Sequence, residues 1–168
     1  MADDAPVIRG DDTIRVEPHT GPRDDLRRLF ELAEDSETEL DAYIGAGRVL
    51  VALDGDRAVG HLQLTETERP AEAEVKNMAV DPAYQGRGVG RALMSAAIAH
   101  ARQAGCATLV VATAAADTGN LRFYQRLGFR MRSVERDAFT AATGYAPGLE
   151  VDGIALRDRV WLDRGLDP

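Results

Sequence analysis

The residues best suited to chemistry form one glycine-rich segment, which lies between a strand-like run and a helix-like run: Gln85, Gly86, Arg87, Gly88, Val89 and Gly90. Glycines allow the backbone to approach a ligand closely and to adopt positive φ angles. The first N–H groups of a helix have no partner within it, and the helix dipole adds about half a positive charge at that end. Arg87 and Arg91 add charge from the sides. The segment therefore predicts an anion site suited to a pyrophosphate.

Two well-known phosphate-binding loops do not match this segment. A Walker A loop requires Gly-Lys followed by Ser or Thr, and the segment contains no lysine. A dinucleotide-binding fingerprint requires G-x-G-x-x-G, and counting from Gly86 places Arg91 where the third glycine belongs. The spacing that is present is Gln85-x-x-Gly88-x-Gly90. A glycine-rich helix start that binds no ligand is the structural alternative.

Hydrophobic periodicity and turn residues place the segment between a predicted fourth strand and a predicted third helix. The pair Asp54-Gly55 between apolar runs predicts a hairpin of the second and third strands. Continuous apolar residues at Leu109, Val110 and Val111 predict a strand buried on both faces. The predicted strands span residues 13–18, 48–53, 57–65, 73–80, 107–112, 129–136 and 154–162. The predicted helices span residues 22–32, 37–46, 88–104 and 117–127.

Composition narrows the class of protein. The chain has 168 residues, of which 45% are hydrophobic, and we expect a flexible arm over residues 1–12 and a single mixed α/β domain over residues 13–168. The formal net charge of −8 argues against a nucleic acid or an anionic membrane as partner and weakly favours cationic substrates. Cys106 is the only cysteine and the histidines are scattered, so we expect no disulfide, no metal site and a cytoplasmic location.

Two motifs together resemble the GNAT superfamily of N-acetyltransferases. The spacing Gln85-x-x-Gly88-x-Gly90 is similar to the coenzyme A loop of that superfamily, Gln/Arg-x-x-Gly-x-Gly/Ala. The segment 121–129, Leu-Arg-Phe-Tyr-Gln-Arg-Leu-Gly-Phe, resembles its later signature, FYxxLGF. The resemblance covers almost the whole chain. It implies a central twisted sheet of about seven strands, flanked by four helices, with a splay between strands 4 and 5 that admits pantetheine.

The resemblance implies transfer of an acetyl group from acetyl-CoA to a primary amine, by direct attack through a tetrahedral intermediate. It assigns cofactor binding to the whole segment 85–90 and Arg91, and to backbone groups of the fourth strand at Met78, Ala79 and Val80. One of those N–H groups would polarise the thioester carbonyl. Asp117 stands where many members have a cofactor-contacting Asn, and Asn120 is near it. Either residue contacts the cofactor, or both belong to the cap of the helix that follows.

Direct attack requires a neutral amine, whereas a lysine-like amine with a pKa of about 10.4 is almost entirely protonated at pH 7. Glu74, which the resemblance aligns with a catalytic glutamate, is the candidate base; its structural alternative is a surface carboxylate. His61 is a rival base, or else a partly exposed strand residue. Tyr124, in the helix where the superfamily places its acid, is the candidate proton donor to the leaving thiolate. Its structural alternative is a packing ring.

The acceptor is a small-molecule or protein amine that the sequence does not identify, and Trp161 is either a core residue or a border of the acceptor pocket. The resemblance also allows for a homodimer. A second function class is a catalytically degenerate module that senses acyl-CoA without turning it over.

Overall fold

The computed structural model describes residues 14–166, so the predicted flexible arm lies outside the described residues. The strands are β1 (Ile14–Pro18), β2 (Arg48–Asp54), β3 (Arg57–Glu66), β4 (Glu72–Val80), β5 (Thr108–Ala114), β6 (Arg130–Glu135), β7 (Glu150–Val151), β8 (Ile154–Ala155) and β9 (Arg159–Gly165). The α-helices are α1 (Arg27–Glu31), α2 (Glu37–Tyr43), α3 (Val89–Gln103) and α4 (Thr118–Arg126). Short 3-10 turns lie at Arg23–Leu26, Pro82–Tyr84 and Ala141–Thr143.

The main sheet contains seven strands in the order β1-β2-β3-β4-β5-β9-β6. Neighbouring strands are antiparallel except β4 and β5, which are parallel because α3 carries the chain back across the sheet between them. The predicted mixed α/β fold with about seven strands and four helices is therefore confirmed. β7 and β8 form a separate hairpin.

The pairing of β4 with β5 stops part-way along both strands. Residues 72–75 of β4 pair with residues 108–111 of β5. Beyond Val75 and Val111 the two strands no longer pair with each other. A register shift between β3 and β4 accompanies this point, because Leu64 pairs with Val75 while Gln63 pairs with Asn77. Lys76 is left over in β4, which is the arrangement of a β-bulge. The predicted splay between β4 and β5 is therefore present, and it starts at the bulge of β4.

Each face of the sheet has its own core. On β2, Leu50 and Ala52 belong to the cluster that includes the buried face of α3, whereas Val49 and Val51 pack with α1 and α2. The alternation follows from the two-residue period of a strand. α3 buries Leu93, Ala97 and Ala101 along one face, and it ends before Gly105, which has a φ of 80°.

Two predicted elements differ from the structure. The predicted helix over residues 22–32 is a 3-10 turn followed by the single turn of α1. The predicted strand over residues 154–162 is split, because Ile154–Ala155 pairs back on β7 through a turn in which Asp152 and Gly153 both have positive φ. The chain joins the main sheet only from Arg159. No helix within residues 14–166 has the length and apolar character needed to cross a membrane.

Candidate active site

A cavity of about 1220 Å³ opens where β4 and β5 part. Apart from Arg87 and the rival base His61, the predicted site residues all line it, although they come from separate parts of the chain: Glu74, Met78, Ala79, Val80, Gln85, Gly86, Gly88, Val89, Gly90, Arg91, Asp117, Asn120 and Tyr124. The cavity therefore joins the glycine segment to both catalytic candidates.

The glycine segment has the backbone geometry that the sequence predicts. Gly86 and Gly88 have φ angles of 77° and 80°, in the left-handed region that side chains with a Cβ disfavour. A Cβ at either position would meet no described atom within 4 Å, so the space above them is open. Gly88 is the N-cap of α3 and supplies no side-chain cap. The first N–H groups of α3 have no intrahelical partner, and Gly88 gives them no capping side chain.

Gly90 has a different role. A Cβ at this position would lie 3.3 Å from Cζ of Phe123 and 3.4 Å from Cε of Met78. The absence of a side chain therefore lets the start of α3 pack closely on α4 and β4. Gly90, the third glycine of the segment, therefore contributes to the site by packing, and it also lines the cavity.

Three side chains near the glycine segment differ in how they are held. Gln85 donates from Nε2 to the Val80 carbonyl at 3.3 Å, so it folds back onto the end of β4. Arg87 lies with its guanidinium 5.0 Å from the ring centre of Tyr84 and is not among the lining residues. Arg91 is exposed and lines the cavity. Of the two arginines predicted to flank an anion, only Arg91 borders the cavity.

Tyr124 is buried in the cavity wall, with 6% of its surface exposed. Its ring contacts Phe123 and Phe129 edge-on, and its hydroxyl forms no hydrogen bond with another described residue. Burial, assisted by the charge of Asp117, raises the pKa of its phenol above the ordinary value. Tyr124 therefore carries a proton throughout the physiological range and has no acceptor for it among residues 14–166.

Glu74 lies on β4 just before the bulge and is half-buried. Burial raises the pKa of its carboxyl, against the opposing charges of Lys76 and Arg159. Lys76, the bulged residue, places Nζ 3.9 Å from Oε1 of Glu74. A carboxylate with a raised pKa is a better proton acceptor than an ordinary one while it remains ionised at neutral pH.

Asp117 forms the helix cap that was one of its two predicted roles. Its Oδ1 accepts from the backbone N–H of Asn120 at 2.8 Å at the start of α4. Asn120 donates from Nδ2 to Oγ1 of Thr113 at 3.4 Å. Both residues also line the cavity, so the capping role is present, and a contact with the cofactor stays a prediction.

His61 is not the partly exposed strand residue that we expected. It is fully buried under α1, with its ring 4.1 Å from that of Phe30, and it does not line the cavity. Its Nε2 lies 2.8 Å from Oδ1 of Asn77. Burial lowers the pKa of its imidazole to about 4. Because it is buried away from the cavity, His61 has no access to an amine there.

The other half of the cavity was predicted only at Glu74 and Trp161, because most of its side chains come from α1–α2 and from the region of β7–β9, including the loop that precedes β7. It contains four aromatic rings, of Tyr43, Phe139, Tyr145 and Trp161, and five carboxylates, of Glu34, Asp35, Glu39, Glu74 and Glu150. The cations on this side are Lys76 and Arg159. Trp161 is half-buried and lines the cavity, which agrees with its predicted position at the border of the acceptor pocket.

Comparison with known proteins identifies the class of this site. A profile of the acetyltransferase (GNAT) family matches residues 15–129, which is more than half of the chain. The chain belongs to the GNAT family of acetyltransferases. The uncharacterized N-acetyltransferase YvbK of Bacillus subtilis (strain 168) is 32% identical over 152 residues, which cover 89% of this chain and 96% of the relative.

Two solved structures are similar to this GNAT acetyltransferase over nearly their full length. One is a Bacillus subtilis acetyltransferase in complex with CoA, at 31% identity and a TM-score of 0.82, covering 91% of this chain and 99% of that one. The other is a GNAT family acetyltransferase from Elizabethkingia anophelis with acetyl-CoA bound, at 27% identity and a TM-score of 0.82, covering 93% and 99%. The predicted class, an acetyl-CoA-dependent N-acetyltransferase, is confirmed, whereas the roles of single residues stay predictions.

Among residues 14–166, no group of three or more His, Cys, Asp or Glu side chains is placed to hold a metal ion.

The two ends of α3 provide a matched test of the glycine segment. Gly88 and Gly105 both have a φ of 80° and open space where a Cβ would lie, but only Gly88 lines the cavity. Alanine at either position should cost about 1–2 kcal/mol of folding stability through the same backbone strain. Gly88→Ala should in addition weaken CoA binding about tenfold, because the loop can no longer present its N–H groups. Calorimetric titration with CoA measures this, and equal affinities for Gly88→Ala and Gly105→Ala would contradict the assignment.

Proposed function

We propose that this protein acetylates a cationic primary amine, with Glu74 as the general base and Tyr124 as the general acid. The observation that carries the proposal is their common cavity, which the glycine segment borders at the point where β4 and β5 part. Acetyl-CoA is the donor substrate. In this proposal the donor lies along β4 and α3, and the amine approaches from the side of α1–α2 and β7–β9.

The donor side fits a CoA molecule in two respects. Beyond Val75, β4 pairs only with β3 within the described chain, so the backbone groups of Met78, Ala79 and Val80 on the other edge have no strand partner there. Such groups provide hydrogen bonds for pantetheine and for a thioester carbonyl. Beyond β4, the open loop at Gly86 and Gly88 offers helix N–H groups to a pyrophosphate. The exposed cations of this half that border the cavity are Arg91, Arg122 and Arg126.

The proposed reaction conserves atoms and protons. A proton passes from the ammonium group of the acceptor to the Glu74 carboxylate, directly or through water, and the neutral amine forms a C–N bond with the thioester carbon. The nitrogen is positively charged in the tetrahedral intermediate and releases its second proton to solvent. The C–S bond breaks as the intermediate collapses, and the thiolate takes the proton of the Tyr124 hydroxyl. Proton exchange with solvent then restores both side chains.

The charge of the acceptor side supports a cationic substrate. Five carboxylates and two cations border that half of the cavity, in a protein whose net charge is −8. A negative potential raises the local concentration of ammonium substrates. The ring of Trp161 provides a face for a cation or for the alkyl chain that bears it, whereas the Tyr43 ring already has Nζ of Lys76 4.9 Å from its centre. Both small amines and a protein amine satisfy this requirement.

Two further properties belong to the same proposal. We propose a cytoplasmic location, supported by the single unpaired Cys106. A homodimer stays a prediction, and size-exclusion chromatography with light scattering measures it.

The second candidate, an acyl-CoA sensor without turnover, is distinguished by thiol release. The enzyme should release CoA thiol from acetyl-CoA in a panel of mono-, di- and polyamines, amino acids and lysine peptides, detected with a thiol-reactive dye. Cationic acceptors should give the highest kcat/KM because of the acidic cavity. Tight CoA binding with no thiol release from any amine would favour the sensor, and no thermal stabilisation by CoA would contradict the donor site itself.

Removal of the Tyr124 hydroxyl should separate catalysis from folding. Because that hydroxyl has no hydrogen bond with a described residue, Tyr124→Phe should leave the thermal unfolding temperature almost unchanged. It should lower kcat about 10²–10⁴-fold, since the thiolate loses its proton donor, while the Kd for CoA stays the same. Steady-state kinetics at saturating acetyl-CoA measure kcat, and an unchanged value would assign Tyr124 to packing alone.

Glu74→Gln should lower kcat/KM for the amine about 10²-fold at pH 7. In the wild type the rate falls as the pH drops through the raised pKa of Glu74, because the carboxylate becomes protonated. In the variant the rate should instead recover toward pH 10, where the free amine forms without a base. Glu72→Gln is the matched control, since Glu72 is bound to Thr67 and Arg132 and does not line the main cavity. A small loss in Glu74→Gln that is independent of pH would make Glu74 a surface carboxylate.

A further inference from the structure

Asn77 lies at the bulge of β4 and is 5% exposed. Its side chain contacts three other elements. Nδ2 donates to the Phe30 carbonyl of α1 at 3.3 Å and to the Tyr43 hydroxyl of α2 at 2.9 Å. Oδ1 lies 2.8 Å from Nε2 of His61 on β3. One amide therefore ties the bulge to both helices and to the neighbouring strand.

The donors and acceptors in this group have only one consistent arrangement. Since both protons of Nδ2 are directed at oxygen atoms, Oδ1 must be the acceptor, and His61 must carry its proton on Nε2. The Nδ1 atom of His61 is buried and has no partner among the described residues, which fits a neutral ring. Tyr43 accepts from Asn77 and donates to Oε2 of Glu34 at 3.1 Å. The order of donation is thus fixed from His61 through Asn77 and Tyr43 to Glu34.

The same chain of hydrogen bonds reaches the far wall of the acceptor side. Oε1 of Glu34 accepts from the Tyr145 hydroxyl at 2.8 Å and from the Ser36 N–H at 3.1 Å. Tyr43, Glu34 and Tyr145 all border the cavity, on segments distant in the sequence. Hydrogen bonds in such a chain polarise and strengthen one another in a buried environment. The acceptor wall is therefore attached to the donor strand through Asn77.

We infer that Asn77 is a positioning residue, whose side-chain amide holds the β4 bulge and sets the acceptor wall in register with the donor strand. Asn77 itself lies within the stretch of β4 backbone, residues 76–80, that lines the cavity beyond the pairing with β5. A bulge that relaxes would shift these backbone groups relative to Tyr43 and Glu34. The inference rests on the proposed function in so far as the aligned groups bind acetyl-CoA and an amine.

The test compares Asn77→Ala with Val49→Ala. Val49 is fully buried in the core beneath α1 and α2, outside the cavity lining, and so controls for loss of stability on the same face. Asn77→Ala should lower kcat about 10–100-fold and raise the acceptor KM, because misplacement by a fraction of an ångström already disturbs the attack geometry. The Kd for CoA should change much less than kcat, because the pyrophosphate contacts of the glycine segment are untouched and only the pantetheine contacts of β4 shift. Val49→Ala should leave kcat, the acceptor KM and the Kd for CoA unchanged. Both variants are assayed well below their unfolding temperatures.

A double-mutant cycle with Tyr43→Phe tests the connection itself. Both changes interrupt the same chain of hydrogen bonds, so their effects on kcat/KM for the amine should be strongly non-additive. Additive effects, or a kcat of Asn77→Ala equal to that of Val49→Ala, would overturn the positioning role.

Hydrogen exchange provides a measurement that does not depend on turnover. In Asn77→Ala, amides 76–80 should exchange at least about tenfold faster than in Val49→Ala, because the bulge loses its anchor. Equal exchange in the two variants would overturn the inference. Failure of the proposed function would appear separately, as a wild type that releases no thiol, and the exchange difference would still decide whether Asn77 holds the bulge.

Discussion

The structure depends on one constraint, the end of hydrogen bonding between β4 and β5 after Val75 and Val111. Parallel pairing over only four residues on each strand would normally leave backbone groups without partners in the centre of a sheet. Here the two strands separate around a cavity, so those groups face open space in which a ligand or water satisfies them. The bulge at Lys76 lets β4 keep its pairing with β3 while it turns away from β5. The opening is thus built into the sheet and does not need a mobile loop.

The parting of the strands also separates two kinds of recognition. On one side, the left-handed glycines and the uncapped start of α3 present backbone groups. On the other side, side chains from α1–α2 and from β7–β9 meet, and carboxylates outnumber cations. The first arrangement suits an anionic donor and the second a cationic acceptor. Tyr124 and Glu74 border the same cavity, so an acid and a base are available where the two substrates would meet.

The backbone geometry of the glycine segment was predicted correctly because it is encoded locally. A glycine that needs positive φ, a helix start and a strand end are neighbours along residues 77–91, and the spacing alone is informative. The acceptor side could not be assembled in this way, since Glu34 and Tyr145 meet across 111 residues of chain. His61 shows the same limit: a histidine on an alternating strand indicates no particular burial until the helices above it are placed. The predicted strand over residues 154–162 was wrong in its first half, because β7 and β8 have only two residues each and show almost no periodicity.

Backbone and side-chain recognition have different consequences for how the two sides can vary. In the proposed donor site, the N–H groups at the start of α3 would bind a pyrophosphate whatever side chains surround them, provided that Gly86 and Gly88 keep their conformation. The acceptor wall depends on the identity of each side chain, so its specificity can change without disturbing the donor site. Asn77 is the exception, because its amide bonds to Tyr43 from the strand that also borders the donor. A substitution in the acceptor wall that displaces Tyr43 therefore acts on β4 as well, and this contact limits how independently the two halves of the cavity can change.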